Sequence, residues 1–287
     1  MTDSNIILVI GATGNQGGAT ARELVSRGRT VHALVRDPGK AEARQLEDLG
    51  VVLVKGDMDD EDSLRRSMEG VHGVFSVQPL GWDPEALAAE VRQGKAVADA
   101  ARAAGVAHLV YSSVGGAERN TGIDHFETKA EIERHILGLG LPATVLRPVF
   151  FMNNLLHYAD ADADADADAE GERLLALPAK PEKPIQLIAS DDIGFFAATA
   201  FDEPDTYLGR QIELAGDDVT FPEIAKIYER VTGVPTRFEP QPIEDRMFEW
   251  FAEDGYQADI PALRKVHPGL LTFEEYLTRR LSPADQA

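Results

Sequence analysis

The 287-residue chain carries 49 acidic and 28 basic residues, a net charge of −21, and no cysteine. This acidity disfavours direct binding to nucleic acid. The lack of cysteine excludes disulfides, thiolate zinc sites and cysteine nucleophiles, and it fits a reducing cytoplasm. No apolar run approaches the roughly 20 residues of a membrane helix, and the N-terminus carries no secretory signal. We therefore expect a soluble, cytoplasmic protein that binds no membrane.

Apolar stretches of strand length alternate with segments of helical period over the first half of the chain. The predicted strands cover residues 5–10, 30–35, 51–54, 71–77, 107–112 and 142–147. The helices predicted between them cover residues 16–27, 40–49, 62–68, 84–104 and 124–139. Strands that are joined through helices form parallel sheets with helices on both faces. Apolar residues throughout each strand agree with burial on both faces.

An acidic run from Asp160 to Glu170 interrupts this pattern with six acidic residues and no basic one. Like charges four residues apart destabilise a helix, and Asp and Ala are both depleted in strands. We therefore expect a flexible acidic loop near residues 158–172. A calcium site is disfavoured because the run has no glycine to turn the chain around an ion, and the histidines show no metal-ligand spacing.

The part of the chain after the acidic run has a looser pattern. Helices are predicted over residues 191–201, 221–231, 243–252 and 273–281, and short strands over residues 211–214 and 236–238. Prolines interrupt this part too often for it to continue the sheet regularly. We expect residues 151–287 to form a smaller C-terminal α/β lobe, interleaved with residues 1–150, over the carboxyl ends of the strands.

The turn after the first predicted strand carries the strongest motif. Residues 11–18 read G-A-T-G-N-Q-G-G and open the first helix. Gly11 allows a tight turn, Gly14 lets the backbone approach a pyrophosphate, and Gly17 permits close packing of the helix. Helix N-termini attract phosphate through free N–H groups. The motif predicts a doubly wound, Rossmann-type fold with a dinucleotide-binding domain over residues 1–150; a glycine-rich turn without a ligand is the alternative.

The residue after the second strand discriminates between nicotinamide cofactors. NAD enzymes place an acid there for the ribose 2′-hydroxyl, whereas NADP enzymes place a base for the 2′-phosphate. Arg36 comes first, and Asp37 follows it before a proline. The planar guanidinium suits a phosphate. We therefore expect NADP(H), with NAD(H) less favoured, and a surface pair of Arg36 with Asp37 is the alternative.

Two further motifs are the Gly-Asp-Met-Asp of residues 56–59 and the His-Phe-x-x-Lys of residues 125–129. Together with the glycine turn and Arg36, they resemble the NmrA-like family. Its members are atypical short-chain dehydrogenases/reductases, and the similarity extends through most of the chain. The resemblance implies contacts from the turn to the phosphates, from the third strand to the adenine, and from the later strands and one lysine to the nicotinamide riboside. These residues are Thr13, Asn15, Gln16, Asp57, Met58, Val77, Gln78, Lys129, Pro148, Val149, Phe150 and Phe151.

Two of these assignments have structural alternatives. Asp57 could cap the helix after the third strand, which is a common role for aspartate. Phe150 and Phe151 could be ordinary core residues, and composition alone does not decide between core and cofactor contact.

The catalytic position is where the chain departs from its superfamily. Short-chain dehydrogenases use Tyr-x-x-x-Lys, in which the lysine lowers the pKa of the phenol. Here His125 stands at the tyrosine position and Lys129 is retained. His125 could donate a proton, contact substrate or cofactor, or be structural, and cofactor binding alone explains Lys129. Ser113, after the fifth strand, could orient a substrate or simply begin a loop.

Two functional hypotheses follow. The first is an NADPH-dependent reductase of a small electrophile such as a quinone or an activated carbonyl. The second is a catalytically silent NADP(H) redox sensor that regulates a protein partner, with the acidic segment as its order–disorder element. The partner is then a small-molecule substrate or a regulatory protein, and a homodimer stays open.

Overall fold

The computed structural model describes residues 5–160, 173–253 and 255–282. Residues 161–172 of the segment for which we expect a flexible loop lie outside the described residues, whereas residues 158–160 end a helix, so the prediction is wrong for these three. The chain forms two compact units. The first comprises residues 1–147 and 193–212, and the second comprises residues 148–192 and 213–287. The chain thus leaves the first unit at the end of the sixth strand. It returns to that unit for the 20 residues from 193 to 212 and then leaves it again.

The strands and helices alternate regularly in the first half of the chain. The strands are β1 (Ile6–Val9), β2 (Thr30–Val35), β3 (Val52–Lys55), β4 (Gly73–Ser76), β5 (His108–Ser112), β6 (Ala143–Pro148), β7 (Phe150–Phe151), β8 (Arg173–Leu177), β9 (Pro184–Ile188), β10 (Gln211–Leu214), β11 (Asp217–Thr220) and β12 (Thr236–Pro240). The helices are α1 (Asn15–Ser26), α2 (Ala41–Asp48), α3 (Glu61–Ser67), α4 (Pro84–Ala104), α5 (Asp124–Gly138), α6 (Met152–Asp160), α7 (Ser190–Asp202), α8 (Pro204–Tyr207), α9 (Phe221–Thr232), α10 (Arg246–Glu253), α11 (Ile260–Val266) and α12 (Phe273–Arg280), with a 3-10 turn at Ala117–Arg119.

A seven-stranded sheet in the order β10-β6-β5-β4-β1-β2-β3 forms the centre of the first unit. Strands β1 to β6 pair in parallel, which confirms the predicted Rossmann-type sheet. The prediction that the later part of the chain does not continue the sheet is wrong for β10. This strand follows α7 and α8 back to the first unit and pairs beside β6.

Both faces of the sheet are covered by helices. Leu8 belongs to a buried apolar cluster that includes Leu64 of α3, Val97 of α4 and Ile132 of α5. On the opposite face, the ring of Phe201 from α7 lies over Gly73 and the side chain of Ile7. Successive residues of β1 are therefore buried against helices on opposite faces of the sheet. This explains why all four residues of the strand are apolar.

Helix α7 packs on α1 at backbone distance. A Cβ on Gly194 would lie 2.7 Å from the carbonyl carbon and oxygen of Ala19. Arg27 and Arg29, beyond the end of α1, donate to the carboxylate of Asp202 at the end of α7, at 2.9 and 2.6 Å. The close approach at Gly194 and these ion pairs attach α7 to the first unit.

The second unit contains two small sheets. Strands β7, β9 and β11 form one, in which β9 and β11 are antiparallel and β7 and β9 parallel. Strands β8 and β12 form the other. Helices α9 and α12 both begin with a Thr-x-x-Glu capping box, at Thr220 and Thr272. Each box satisfies free N–H groups at a helix start. None of the helices in the described residues is long and apolar enough to cross a bilayer.

His108, the first residue of β5, is a buried histidine of defined tautomer. Its Nε2 lies 2.8 Å from Oγ1 of Thr144, and that hydroxyl donates to the carbonyl of Tyr207 at 2.8 Å. Nε2 must therefore carry the hydrogen. Nδ1 is buried with no hydrogen-bond partner among the described residues. Burial, with a smaller contribution from His72, lowers the pKa of His108 to about 4.

Replacing Gly194 with alanine is expected to destabilise the protein by about 1–3 kcal/mol, because backbone atoms of α1 occupy the space of the new methyl group. Gly138, at the end of α5, is the matched control, since a Cβ there meets nothing within 4 Å. Gly138→Ala is expected to leave stability unchanged or raise it slightly. Urea unfolding of both variants tests this, and equal midpoints would contradict the close packing of α7 on α1.

His108 makes stability depend on pH. Its pKa in the folded protein is below the ordinary 6.5, so its contribution is complete above pH 6.5 and is lost as pH falls towards 4. Between pH 7 and pH 5 the loss is about 2 kcal/mol. His108→Gln is expected to flatten this dependence, measured as urea midpoints at both pH values. An unchanged slope would show that His108 does not cause it.

Candidate functional site

The predicted site residues of the first unit gather at the carboxyl edge of its sheet. They follow β1, β2, β3, β4 and β5, and the N-terminal part of α5 reaches the same region. Strands β1 and β4 are neighbours although β2 and β3 lie on the far side of β1. This reversal of strand order opens a crevice at the carboxyl edge, where open α/β sheets bind ligands.

The glycine turn after β1 has no room for side chains at two of its positions. Gly11 has a φ of +75°, and a Cβ there would lie 2.6 Å from Cγ1 of Val77. A Cβ on Gly17 would lie 2.2 Å from the carbonyl oxygen of Gly11. Gly14 differs, because its Cβ would meet only the Gly11 oxygen, at 3.4 Å. The protein itself thus requires glycine at positions 11 and 17, while the space beside Gly14 is open to a ligand.

The N-terminus of α1 has no side-chain cap. Gly14 is its N-cap, whereas α3 and α4 are capped by Asp60 and Asp83. Thr13 and Asn15 are exposed, and the side-chain oxygen of Gln16 accepts from the hydroxyl of Ser112 at 2.6 Å. The start of α1 therefore presents N–H groups and a positive dipole end without the side-chain acceptor that helices usually supply.

Two buried polar atoms at the ends of β4 and β5 lack partners among the described residues. The amide of Gln78 donates to the hydroxyl of Ser76 at 2.9 Å, but its Oε1 accepts nothing. The hydroxyl of Ser113 is also buried without a partner, although its backbone N–H donates to Leu146. A buried polar group left unpaired costs about 1–3 kcal/mol, so both atoms are suited to bind a polar ligand.

Arg36 is exposed at the end of β2 and makes no hydrogen bond or ion pair to the described residues. The alternative pairing with Asp37 is absent there, and the Asp37 carboxylate accepts instead from the N–H of Gly39 at 2.9 Å. The carboxylate of Asp59 is near enough to feel the charge of Arg36. Hydrogen bonds from Arg92 and Gln93, with a smaller charge effect of Arg36, hold the pKa of Asp59 below its ordinary value. The Arg36 guanidinium is thus available to an anion.

Asp57, after β3, does not cap the following helix. The cap of α3 is Asp60, whose carboxylate accepts from the N–H of Ser63 at 3.1 Å. Asp57 instead accepts from the N–H of Asp59 at 3.0 Å in a local turn. Met58 packs against the apolar core. Because the capping role falls to Asp60, Asp57 keeps acceptor capacity at this edge.

Lys129 of α5 forms an ion pair with Glu90 of α4. The Glu90 side chain is 1% exposed, and its second oxygen accepts from the hydroxyl of Thr128 at 2.6 Å. The Lys129 side chain is 12% exposed. The ammonium therefore neutralises a buried carboxylate, a role beyond the ribose contact that the family resemblance implies.

Glu90 was not predicted from the sequence, although a signal was present. The buried residues of α4 are Glu90, Gly94, Val97, Ala98 and Ala101. Their spacing of three and four is that of one helical face. A carboxylate at the first position of an otherwise apolar stripe indicates a buried partner of opposite charge.

His125 is half-buried in an aromatic setting. Its ring lies edge-on to Trp82 and to Phe126, each at a centroid distance of 4.8 Å, and its carbonyl accepts from the hydroxyl of Thr128.

Tyr111 of β5 is fully buried, and burial together with the charges of Glu90 and Glu133 raises its pKa. Tyr111 therefore stays neutral.

The remaining predicted cofactor residues lie in the second unit. Pro148 ends β6, and Val149 donates to the carbonyl of Leu214. Phe150 and Phe151 form β7. Phe150 is buried and lies edge-on to Phe251 at 6.0 Å, as a core residue does, while Phe151 is only partly buried.

The site has no feature of a metal centre. In residues 5–160, 173–253 and 255–282, no group of three His, Asp or Glu side chains is arranged to hold an ion.

Comparison with known proteins assigns the family. A model of the NmrA-like family matches residues 3–277. The chain belongs to the NmrA-like family. A relative, the NmrA-like family domain-containing oxidoreductase FrzB of Cladobotryum sp., is 32% identical over 255 residues, which are 82% of this chain and 76% of FrzB. The NAD(P)H azoreductase of Xenophilus azovorans is 36% identical over 156 residues, which are 54% of this chain and 52% of the azoreductase.

Solved structures share the fold over nearly the whole chain. NmrA, a negative transcriptional regulator in complex with NADP, superposes with a TM-score of 0.80 at 21% identity, covering 98% of this chain and 96% of NmrA; it has also been solved with NAD. The NADPH-dependent quinone oxidoreductase QOR2 of Escherichia coli, complexed with NADPH, gives 0.79 at 22% identity, covering 96% and 100%. The chain thus has the same fold as these two proteins.

The ion pair of Lys129 with Glu90 is expected to stabilise the fold. Lys129→Met leaves a buried carboxylate uncompensated and should cost about 3–5 kcal/mol in urea unfolding. Lys95 is the matched control, because it also joins α4 to α5, through Glu131, but the two side chains are 34% and 47% exposed. Lys95→Met should cost less than about 1 kcal/mol.

The double variant Glu90→Gln/Lys129→Met separates the charge effect from packing. Removing both charges should restore part of the stability that Lys129→Met loses, by coupling of about 0.5–3 kcal/mol. Strictly additive losses would mean that the two side chains do not interact.

Proposed function

We propose that the protein is an NADPH-dependent reductase of a small electrophile such as a quinone or an activated carbonyl. The observation that carries the proposal is the pair of buried, unpartnered polar atoms, Gln78 Oε1 and Ser113 Oγ, beside the glycine turn. Native folds leave few such atoms unsatisfied. Their location near the crevice between β1 and β4 favours the binding of a polar ligand there.

A dinucleotide fits the residues present. The uncapped start of α1, with Gly14, Thr13, Asn15 and Gln16, would bind the pyrophosphate. Asp57 and Met58 would border the adenine, and Val77, Gln78 and Ser113 would border the nicotinamide riboside. The space beside Gly14 supports this assignment, because the protein leaves it open.

Arg36 supports NADP(H) over NAD(H). An exposed guanidinium with no partner among the described residues, directly after β2, matches the position from which a base binds the 2′-phosphate. A charge-assisted contact of this kind is stronger than a neutral hydrogen bond. Relatives do not decide the preference, since NmrA has been solved with either NAD or NADP.

NADPH held by these residues would supply a hydride, which is one proton with two electrons, to the acceptor. A quinone that takes this hydride becomes a hydroquinone anion and needs one further proton, which water can provide. The product charge is delocalised over an aromatic ring, so little acid assistance is required. For a carbonyl acceptor, the alkoxide needs a proton donor, and His125 is the candidate.

Named relatives support reduction of such acceptors. The azoreductase and the quinone oxidoreductase act, by their names, on azo compounds and quinones. Both acceptor classes are conjugated and electron-poor, and neither requires a strong acid in the protein. This agrees with a site in which His125 replaces the usual tyrosine and Lys129 is occupied by Glu90.

A redox sensor is the second candidate. NmrA is described as a negative transcriptional regulator, and the Lys129–Glu90 pair favours binding without chemistry, because the lysine charge is used to neutralise a carboxylate. In this case the partner would be a regulatory protein.

Turnover separates the reductase from the sensor. The protein is incubated with NADPH and a panel of quinones and activated carbonyls, and the loss of NADPH absorbance at about 340 nm is followed. Tight NADPH binding without turnover would favour the sensor.

Arg36→Ala is expected to weaken NADPH binding by about 1.5–3 kcal/mol and to leave NADH binding nearly unchanged. Arg102→Ala is the matched control, since Arg102 is an exposed arginine in the last turn of α4, where the chain enters the opposite edge of the sheet. It should affect neither cofactor. Titration calorimetry measures both affinities, and equal losses for NADPH and NADH would mean that Arg36 does not bind the 2′-phosphate.

His125→Phe tests the proton donor. If the imidazole protonates the product, the variant loses the pH dependence of kcat with carbonyl acceptors, and its rate falls about 10²–10⁴-fold. Rates with quinones should change little, because water completes that reaction. Unchanged pH–rate profiles with both acceptor types would remove His125 from the chemistry.

A further inference from the structure

A short segment after β4, residues 79–83, displays two large apolar side chains. Trp82 is 68% exposed and Leu80 is 51% exposed, the two highest values for large apolar side chains in the part of the chain that the structure describes. They lie two and four positions after Gln78. Single exposed apolar residues are common, but two in one segment at a ligand crevice suggest a binding surface.

The backbone of this segment is held at two points. A Cβ on Gly81 would lie 2.2 Å from the Cβ of Ala86, so the segment lies against the first turn of α4. The carboxylate of Asp83 accepts from the N–H groups of Glu85 and Ala86, both at 3.0 Å. Trp82 is therefore exposed on an anchored backbone, which lowers the entropy lost when a ligand binds to it.

The indole of Trp82 also contacts His125, the candidate proton donor. The ring of His125 lies edge-on to Trp82 at a centroid distance of 4.8 Å, with an interplanar angle of 72°. This contact covers only part of the indole. Trp82 thus connects the segment after β4 with the start of α5, the two places from which the proposed reaction centre is built.

We propose that Trp82, with Leu80, forms a platform on which a planar aromatic acceptor stacks. The proposal rests on the proposed reductase function and narrows its substrate class to aromatic quinones and similar conjugated rings. An indole has an electron-rich face, and a quinone ring is electron-poor and flat, so offset stacking is favourable and buries apolar area. A small aliphatic dicarbonyl covers little of the indole and gains little from it.

Kinetics with two acceptors tests the platform. The probes are 1,4-naphthoquinone and the aliphatic dicarbonyl diacetyl, each with NADPH. Trp82→Ala should raise KM for naphthoquinone about tenfold and leave KM for diacetyl unchanged, and Trp82→Phe should recover most of the loss. Leu137→Ala, which removes another exposed apolar side chain, on α5, should change neither. Equal effects on both acceptors, or none, would overturn the proposal.

Fluorescence gives a readout that does not need turnover. The chain has two tryptophans, and Trp250 is buried, so Trp250→Phe leaves Trp82 as the single indole. Naphthoquinone, added with NADP⁺ to prevent turnover, should quench this emission saturably, whereas diacetyl should not. If Trp250→Phe does not fold, the difference in quenching between wild type and Trp82→Phe measures the same contact.

The two hypotheses fail separately. If no acceptor is reduced but naphthoquinone quenches Trp82 saturably, the reductase function is wrong and the aromatic platform stands. If both acceptors are reduced but quenching is absent or only collisional, the platform is wrong and the reductase function stands.

Discussion

The contact of Gly17 with the carbonyl of Gly11 is the constraint on which the site depends. A Cβ at position 17 would lie 2.2 Å from that oxygen, so no side chain fits there. Glycine at this position lets α1 start directly on the turn that ends β1. This close start brings the uncapped helix terminus to the sheet edge, and it also brings Gln16 within reach of Ser112. A bulkier residue at position 17 would move the helix and, with it, every N–H group that faces the crevice.

Electrostatics in this acidic chain is decided locally. The net charge of −21 opposes binding of an anionic dinucleotide, and one of the two cations expected to offset it, Lys129, is already paired with Glu90. The attraction is left to Arg36 and to the dipole at the start of α1, which act within one turn. Binding of a phosphorylated cofactor should therefore be sensitive to these two features and insensitive to distant surface charge.

The sequence predicts this protein best where the information is local. The strand–turn–helix at residues 6–26 and the alternation of strands and helices up to β6 follow from periodicity and glycine positions, because both are properties of short segments. The Lys129–Glu90 pair joins residues 39 positions apart and depends on how α4 packs on α5, which no local pattern contains. The pairing of β10 with β6 was missed for the same reason, because the two strands are separated in sequence by residues 149–210. The chemical role of His125 stays open because residue type alone does not state what an imidazole contacts.

Helix α7 has a consequence for how the protein is made. It covers part of one face of β1 and β4 through Phe201 and packs on α1 at Gly194, yet it is translated after β7, β8 and β9. When β6 leaves the ribosome, the part of this face that Phe201 covers is still open to water, and more than 50 residues must be added before that part is closed. Domains are generally completed in the order of synthesis, so this sheet has to wait for a later part of the chain. The first unit should consequently pass through an intermediate with exposed apolar surface during translation, and chaperone binding to nascent chains should fall once residue 202 has left the exit tunnel.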